Sequence, residues 1–347
     1  MEAPLGCLLH CFLGGTPTET HPMSTTKMQR WGILGTGMIA KKFADNLKHS
    51  HPGCLASVGS RNISNAKAFA EEFAVSAHGG YGDVLKDPAV ESVYIALPNG
   101  MHHEWVIKAM NAGKHVLCEK PLAANTREAE EMYAVAYGTG KILVEAFMYR
   151  TDPAVVNLLG LIHSGEIGEV RLIRSNFSFA REVDLADARY DPMQAGGSLM
   201  DVGCYCVNFC RAIMGMNPNE VSSMAHIHSS GVDDYAAGLL RFGDDTLATF
   251  TCGMTVKNDW STFIAGTSGQ IRIENPWFSD GKFTVTHPQG IQQYEFKSEL
   301  LPYSREAEAF SSIVTGDTPP WITAMDTIGN MRTLDALRKH ANVAFPE

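Results

Sequence analysis

The sequence lacks the features that mark membrane-spanning and nucleic-acid-binding proteins. No apolar run in its 347 residues approaches the ~18 residues that a membrane-spanning helix needs. No dense cluster of lysine and arginine interrupts the balance of 28 basic against 38 acidic residues, a net charge of −10. Nucleic acids and anionic membranes bind basic surfaces, so neither is an expected partner. The composition predicts a globular protein that acts on a small molecule, and the length favours two domains.

The eight cysteines follow no disulfide or metal-binding framework. Their scatter through a long chain predicts buried free thiols and a cytoplasmic location. Cys204, Cys206 and Cys210 come nearest to a metal-binding pattern, but helical residues two apart point in different directions, and no histidine stands at ligand spacing. Core thiols without a metal are therefore the prediction, and a zinc site is the alternative.

Residues 1–28 precede the first periodic segment and are predicted to be a disordered leader. Residues 5–13 are apolar and weakly resemble the core of a secretory signal peptide, which is the alternative interpretation. The only charge before them is Glu2, whereas a signal peptide carries lysine or arginine there. The sequence therefore favours a leader that is not a signal.

From residue 29 to residue 150, short apolar runs alternate with segments of helical periodicity. Strands are predicted at 31–34, 55–58, 93–97, 115–118 and 142–144, and helices at about 38–47, 66–73, 103–112 and 126–137. This alternation predicts βαβ units, which build a doubly wound parallel sheet with helices on both faces. Such α/β sheets bind ligands at the carboxyl ends of their strands.

Residues 151–347 follow a different pattern, with two helices flanking one long strand and then a series of shorter strands. The helices are predicted at 154–162 and about 199–214, and the long strand at 170–179. Six strands follow, at 221–228, 235–242, 246–252, 261–265, 270–273 and 282–286, before two closing helices that begin near residues 305 and 322. Strands without crossover helices predict an α+β domain with a large, mostly antiparallel sheet. We expect one face of this sheet to stay open.

The strongest local motif directly follows the first predicted strand and opens the first predicted helix: Gly35, Thr36, Gly37, Met38, Ile39 and Ala40. Gly35 permits a tight turn, Gly37 lets the backbone approach a pyrophosphate, and Ala40 keeps the helix close to the strand. The N–H groups at the helix N-terminus would bind the phosphates. This context favours a dinucleotide-binding Rossmann domain over a glycine turn without a ligand.

The residues after the second predicted strand indicate which dinucleotide binds. An NAD enzyme carries Asp or Glu there, which binds the ribose 2′-hydroxyl and repels a 2′-phosphate. This chain has Ser60 and Arg61 instead, and its next acid is Glu71. A hydroxyl and a guanidinium both bind phosphate, so NADP is the predicted cofactor. The alternative is that Arg61 only stacks on the adenine, which would leave NAD as the cofactor.

Polar residues gather at the ends of later strands, where the nicotinamide is expected. One predicted strand leads into Leu97, Pro98, Asn99 and His102, and the next leads into Glu119 and Lys120. A lysine at a buried strand end is costly unless it has a function. In the second domain, Asp201 and Tyr205 are four residues apart and share one face of a predicted helix. Such a pair could exchange a proton with a substrate hydroxyl, although ordinary helix packing explains it equally well.

Taken in this order, the motifs resemble the glucose–fructose oxidoreductase / inositol dehydrogenase family over residues 29–340. The matching segments are 33–40, 97–99 with His102, 119–121, 145–150, 165–168 and 196–205. Within the family, segment 145–150 and the tyrosine at position 205 are similar to the branch of dimeric dihydrodiol dehydrogenases and NADP-dependent xylose dehydrogenases. The chain departs from the family pattern at residues 151–153 and at Ala195, both near the expected substrate pocket.

The resemblance implies an NADP-dependent oxidoreductase that moves a hydride between nicotinamide and a carbon of a sugar, polyol or cyclic diol. It makes Lys120 a catalytic residue, Tyr205 the proton donor or acceptor, and Asp201 the acid that assists them. We expect the Lys120 ammonium to stabilise the Tyr205 phenolate, because a free phenol is too weak a base near neutral pH. Residues Leu97, Pro98, Asn99, His102, Glu119 and Lys120 would line the cofactor, and Tyr81 would lie near its adenosine half.

The resemblance also implies a homodimer or homotetramer built on the open sheet face, since uncovered apolar sheets bind partners. Four other functions stay open at this point: an NAD-linked inositol-type dehydrogenase, a sugar reductase, an enzyme whose cofactor never leaves and moves hydride between two sugars, and a non-catalytic NADP-sensing regulator of the same fold. A sensor has no need of both Lys120 and Tyr205, so their presence counts against the last of these. The domain boundaries that follow are 29–150 for the dinucleotide-binding domain and 151–347 for the substrate-binding and oligomerisation domain.

Overall fold

The computed structural model describes residues 27–343, which contain two sheets. The predicted leader at residues 1–28 lies almost entirely outside these residues. Its last two positions are described, and both are attached to the first domain: the Lys27 ammonium lies 2.8 Å from the Glu91 carboxylate, and Met28 packs against the core. No helix of the described part of the chain is long and apolar enough to cross a membrane.

The first sheet has six parallel strands in the order β3-β2-β1-β4-β5-β6. These strands are β1 (Trp31–Leu34), β2 (Leu55–Gly59), β3 (Ala77–Gly79), β4 (Ser92–Ile95), β5 (His115–Glu119) and β6 (Leu143–Ala146). The helices between them are α1 (Met38–Ser50), α2 (Ile63–Phe73), α3 (Tyr81–Lys86), α4 (His102–Asn111) and α5 (Thr126–Thr139). The predicted doubly wound Rossmann architecture is confirmed, but β3 and α3, the shortest of these strands and the shortest of these helices, were not predicted from the sequence.

The strand order places the candidate motifs side by side. The order reverses between β1 and β4, and a doubly wound sheet has its ligand crevice at such a switch point. The glycine motif follows β1, Asn99 follows β4, and Lys120 follows β5, so all three lie at the carboxyl edge of neighbouring strands. Every residue of β1 is buried, as expected of a central strand that is covered on both faces.

The second sheet has eight strands in the order β14-β13-β12-β11-β7-β10-β9-β8. They are β7 (Val170–Ser178), β8 (Glu220–Ile227), β9 (Asp233–Phe242), β10 (Thr246–Gly253), β11 (Thr262–Gly266), β12 (Gln270–Ile273), β13 (Lys282–His287) and β14 (Gly290–Glu295). Only β7 and β10 pair in parallel, so the predicted mostly antiparallel sheet is confirmed. The sequence analysis missed β14, whose residues are nearly all exposed and show no apolar alternation.

Helices pack on one face of the second sheet and leave the other face open. They are α6 (Pro153–His163), α7 (Cys204–Met214) and α9 (Ala324–His340), whereas α8 (Pro302–Thr315) packs against α1 of the first domain. The open face carries exposed apolar side chains on four adjacent strands: Leu172, Met224, Tyr235, Leu239 and Leu247. The six cysteines among the described residues are all buried, in line with the prediction of core thiols.

The helix predicted at residues 199–214 is divided into two parts. Leu199–Gly203 forms a π-helical turn, and α7 follows it. A π turn widens the helix by one residue and is frequent at functional sites. Asp201 and Tyr205 are therefore not separated by a regular α-helical turn, contrary to the prediction. They still face a common neighbour, because the Lys120 ammonium contacts the Asp201 carboxylate and lies over the Tyr205 ring.

Candidate active site

The turn after β1 has the geometry that a bound pyrophosphate requires. Gly35 has φ +112°, and a Cβ there would lie 2.3 Å from the carbonyl oxygen of Ala96, so the turn admits only glycine. Gly37 precedes α1, no side chain caps this N-terminus, and its first turn has no acidic residue. A Cβ added at Gly37 would meet no atom within 4 Å. Uncapped N–H groups facing open space fit a phosphate group.

The residues predicted to select the dinucleotide lie at the ends of β2 and β3, beside this turn. Ser60 is buried; its hydroxyl accepts the Asn62 N–H over 3.3 Å and lies 3.5 Å from the Thr36 hydroxyl. Arg61 is exposed. Tyr81 begins α3 and packs its ring edge-on against Trp105, with 4.8 Å between ring centroids. Of these three predicted residues, Arg61 is therefore the one whose charged group is exposed and can reach a bound ligand.

Two of the residues predicted to line the cofactor face the protein interior instead. The His102 ring is fully buried and bonds the carbonyl oxygens of Leu97 and Pro121 over 2.9 and 3.0 Å. The Glu119 carboxylate is also buried, where it accepts hydrogen bonds from the Tyr94 hydroxyl and, over 3.3 Å, from the Lys120 N–H. Both side chains hold together the loops that follow β4 and β5. Both residues were predicted to contact the cofactor because they are close in sequence to Asn99 and Lys120, which lie at the edge of the crevice.

The loop after β4 also contacts the second domain. The Asn99 side-chain amide donates to the carbonyl oxygen of Ala195 over 3.0 Å. Ala195, where the family resemblance suggests a glycine, has φ +51°, a conformation that glycine adopts more easily. This contact places the segment before Gly196 across the mouth of the crevice.

Lys120 and Asp201 form the centre of the candidate site, although they come from different domains. The Lys120 ammonium donates to the Asp201 carbonyl oxygen over 2.7 Å and to its carboxylate Oδ1 over 3.3 Å. Arg189 donates from Nε to Oδ2 of the same carboxylate over 2.8 Å. Burial alone would raise the pKa of Asp201, but the charges of Lys120 and Arg189 hold it below its usual value. Asp201 is therefore an anion shared by two cations, which suits positioning better than proton transfer.

The same ion pair fixes the protonation state of Lys120. Burial alone would lower the pKa of this ammonium, but the neighbouring charge of Asp201 raises it above its usual value. Lys120 is therefore charged at neutral pH, and its charge lies at the boundary between the domains.

Tyr205 lies beside this pair in an orientation that the sequence analysis did not predict. The Lys120 ammonium sits 5.1 Å from the centre of the Tyr205 ring, and the Tyr205 hydroxyl points to the thioether of Met148, 3.9 Å away. Burial, with a further contribution from the charge of Glu119, raises the pKa of Tyr205 well above its usual value. The expectation that Lys120 stabilises a Tyr205 phenolate is wrong for this arrangement, because the ammonium binds Asp201 and faces the ring instead of the hydroxyl.

Two components of the site were not predicted from the sequence. Arg189 lies in a three-residue 3₁₀ helix, Ala188–Tyr190, between β7 and the π-helical turn, and no motif or periodicity in the sequence marks it. A group of aromatic rings packs around Tyr205 or next to its neighbours: Phe147, Phe177, Trp260, Trp277 and Phe278. These five residues are spread over the strands and connections at β6, β7, β11 and β12, and nothing in their spacing connects them with Tyr205.

A Rossmann sheet with an uncapped phosphate turn, joined to a second domain whose π-helical turn and α7 supply an acid and a phenol, defines a class of two-domain nucleotide-dependent oxidoreductases. Residues 29–147 match the oxidoreductase family with an NAD-binding Rossmann fold, and residues 155–272 match the GFO/IDH/MocA C-terminal domain. The chain belongs to this family, as the resemblance implied.

Several characterised relatives cover most of the chain. A trans-1,2-dihydrobenzene-1,2-diol dehydrogenase of Mus musculus is 36% identical over 252 residues, 72% of this chain and 75% of the relative. D-xylose 1-dehydrogenase (NADP(+)) 2 of Haloferax volcanii is 33% identical over 317 residues, 90% of this chain and 97% of the relative. The crystal structure of KijD10, a 3-ketoreductase from Actinomadura kijaniata in complex with NADP and TDP-benzene, superposes with a TM-score of 0.82 at 26% identity, covering 90% of this chain and 98% of that one.

Proposed function

We propose that the protein is an NADP-dependent dehydrogenase that transfers a hydride between nicotinamide and a hydroxyl-bearing carbon of a sugar, polyol or cyclic diol. The observation that carries the proposal is the meeting of Lys120 with Asp201 and Tyr205 across the domain boundary, at the same sheet edge as the uncapped N-terminus of α1. The names of the relatives support it, since two are dehydrogenases of a diol and of xylose and one is named for NADP(+). Reduced-nicotinamide absorbance after mixing with NADP and a panel of aldoses, inositols and cyclic diols tests the proposal; no reduction with any of them would favour a sensor.

NADP would supply the group that accepts or donates the hydride, held by the residues of the glycine turn, Ser60 and Arg61. The proton is the task of the protein. Tyr205 is protonated at neutral pH, so its hydroxyl can give its proton to a substrate carbonyl oxygen while the hydride reaches the carbonyl carbon, which leaves a phenolate. In the direction of alcohol oxidation, Tyr205 must first lose its proton, and the phenolate then takes the proton of the substrate hydroxyl. A thioether is a weak hydrogen-bond acceptor, so a substrate oxygen readily replaces Met148 as the partner of Tyr205. Lys120 supplies positive charge beside the oxygen that gains electron density.

The aromatic group around Tyr205 indicates the kind of substrate. Phe177 stacks on Trp277 with 5.4 Å between ring centroids, and Trp260 lies edge-on to Phe177 at 5.7 Å. This packing buries Phe177 and Trp277, so the rings that a substrate can reach are the half-buried Trp260 and the exposed Phe278. Aromatic faces pack against the C–H faces of sugar rings and against cyclic diols, whereas an acyclic, highly charged substrate would gain little from them. This favours a ring-shaped, uncharged substrate.

Replacing Arg61 by alanine tests the choice of cofactor. We expect the affinity for NADP to fall about 10- to 100-fold, because a charge-assisted bond to phosphate contributes about 1.5–3 kcal/mol. The affinity for NAD should change little. Titration of both cofactors measures this, with Lys67→Ala as the control, since Lys67 is an exposed lysine of the neighbouring helix α2 that pairs with Glu71. Equal losses for NADP and NAD would show that Arg61 does not bind the 2′-phosphate.

We also propose that the open face of the second sheet buries its apolar side chains against a second copy, which gives a homodimer or homotetramer. Light scattering at micromolar concentration should then give at least twice the chain mass of 37.8 kDa. Leu239→Glu should shift the protein towards the monomer, because it places a charge on a face that is otherwise desolvated. Tyr137→Glu, on an exposed site of α5 away from this sheet, is the control. A monomeric wild-type protein would refute the proposal.

The alternatives differ in one observable each. An NAD-linked inositol-type dehydrogenase would prefer NAD to NADP, and a sugar reductase would run mainly from carbonyl to alcohol. The free, buried thiols of the second domain favour a cytoplasmic location for any of these enzymes.

A further inference from the structure

A buried carboxylate that belongs to no predicted motif holds the start of the π-helical turn. Asp233, the first residue of β9, is fully buried. Its Oδ2 accepts a hydrogen bond from the Ser198 hydroxyl and another from the Leu199 N–H, each over 2.7 Å. Its Oδ1 lacks a hydrogen-bond partner among the described residues. The two bonded residues directly precede the segment that carries Asp201.

The backbone next to this carboxylate fits it closely. Gly197 has φ +108°, and a Cβ at this position would lie 2.1 Å from Oδ1 of Asp233. The Asp201 N–H donates to the carbonyl oxygen of Gly197 over 2.9 Å. The Asp201 backbone, including the carbonyl oxygen that binds the Lys120 ammonium, therefore depends on where Asp233 holds residues 197–199.

A buried arginine connects Asp233 with the other half of the site. Arg338 of α9 is fully buried and lies close enough to Asp233 for their charges to interact. Its Nη1 donates to the carbonyl oxygen of Ala124 over 3.1 Å. Ala124 stands four residues after Lys120 in the first domain. Asp233 and Arg338 therefore link residues 198–199 of the second domain with Ala124 of the first domain. The ion pair of Asp201 and Lys120 links the same two segments a few residues further along the chain and at the site itself.

We infer that Asp233 is a positioning residue, which sets the distance between the Asp201 carboxylate and the Lys120 ammonium through residues 197–199. The inference rests on the proposed function, because it assumes that this ion pair serves hydride transfer. The ionisable groups facing Asp233 are Arg338 from α9 and the Cys252 thiol from β10. The positive charge of Arg338 favours the carboxylate form, in which both Oδ atoms are acceptors.

The charge of Asp233 does not serve stability. Burial raises the pKa of Asp233 from 3.8 to about 6. A carboxyl group whose pKa is higher in the folded state than in the unfolded state binds its proton more tightly when folded, so its contribution to stability falls as the pH rises from 3.8 to about 6 and stays low above that. The carboxylate of Asp233 therefore lowers the stability of the folded protein at neutral pH. A role in positioning the residues of the site explains why the protein has this carboxylate.

The test compares Asp233→Asn with Asp234→Asn, a matched control on the same strand. Asp234 is also buried, but its carboxylate binds His226 and Thr255, away from the π-helical turn. Asp233→Asn places an amide N–H2 beside Gly197 and the Arg338 guanidinium, so we expect kcat to fall about 10- to 100-fold. The Kd for NADP should stay within about twofold, and so should kcat of Asp234→Asn, because neither depends on residues 197–199.

A double mutant separates positioning from a merely structural role. If Asp233 acts through the contact between Asp201 and Lys120, Lys120→Met/Asp233→Asn should have the same kcat as Lys120→Met alone, because Lys120→Met removes the ammonium from both the carbonyl oxygen and the carboxylate of Asp201. A further loss in the double mutant, or an unchanged kcat in Asp233→Asn, would overturn the inference while leaving the proposed function intact. Full activity in Asp201→Asn would also overturn the inference, whereas a wild-type protein without NADP-dependent activity would overturn the proposed function. If Asp233→Asn does not fold, Ser198→Ala removes one of the two hydrogen bonds and should lower kcat several-fold, again without effect in the Lys120→Met background.

Discussion

We expect Tyr205→Phe to lower kcat by about 10²–10⁴-fold, the loss that removal of a general acid or base typically produces. The Tyr205 hydroxyl has one described hydrogen-bond partner, the weakly accepting thioether of Met148, so its removal breaks no strong contact. The ring keeps its packing against Phe147 and Phe177. The thermal midpoint and the Kd for NADP should therefore stay near the wild-type values, and measuring both alongside kcat separates chemistry from folding.

Tyr149→Phe is the matched control for this experiment. Tyr149 is fully buried next to Tyr205, with 5.8 Å between ring centroids, but its hydroxyl donates to Asn208 inside the core. We expect this variant to lose stability, because it leaves a buried acceptor with one donor fewer, and to keep its turnover. Near-wild-type turnover in Tyr205→Phe would exclude it as the proton donor and would leave Asp201 as the residue to test.

Lys120→Met should lower kcat by a similar factor, about 10²–10⁴-fold, for an electrostatic reason. The substitution removes the ammonium that binds the Asp201 carbonyl oxygen and carboxylate, and it leaves Asp201 with Arg189 as its cation. The substrate oxygen would then gain electron density without a positive charge beside it. Steady-state kinetics of Lys120→Met, Tyr205→Phe and the double mutant should give strongly non-additive losses, because both residues act on one proton transfer.

Lys114→Met controls for the removal of a buried lysine. The Lys114 ammonium donates to the carbonyl oxygens of Asp87 and Val90, at the end of the sheet opposite the crevice. This variant should lose stability and keep its kcat. If Lys120→Met and Lys114→Met lost turnover equally, the effect of Lys120 would be one of folding and not of catalysis.

The parts of the structure that the sequence predicted are those that depend on local pattern. The alternation of apolar strands and amphipathic helices predicted the Rossmann sheet, and the turn at Gly35 could be recognised because only glycine fits against Ala96. β3 and α3 were not predicted, because segments of three and six residues are too short to show a clear periodicity. The π-helical turn was not predicted, because one inserted residue hardly changes the pattern of apolar residues along the helix.

The sequence predicted which residues form the centre of the site better than it predicted how their side chains are arranged. Lys120, Asp201 and Tyr205 do meet, but the sequence contains no information on which way the Tyr205 hydroxyl points, since that depends on packing across the domain boundary. His102 and Glu119 have the right neighbours in sequence and face the interior. Arg189 and Asp233 reach the site from segments without a motif, so only tertiary structure could identify them.

Direct transfer of a hydride from a substrate carbon to NADP is the central claim, and isotope transfer measures it most directly. The protein would be mixed with NADP and either an aldose deuterated at its anomeric carbon or a cyclic diol deuterated at a carbinol carbon, and the nicotinamide product analysed by mass spectrometry. The account predicts that one deuterium appears in the reduced nicotinamide with the wild-type protein, and that Tyr205→Phe and Lys120→Met form this product far more slowly. Bound NADP that gains no deuterium from any substrate of the panel would contradict it.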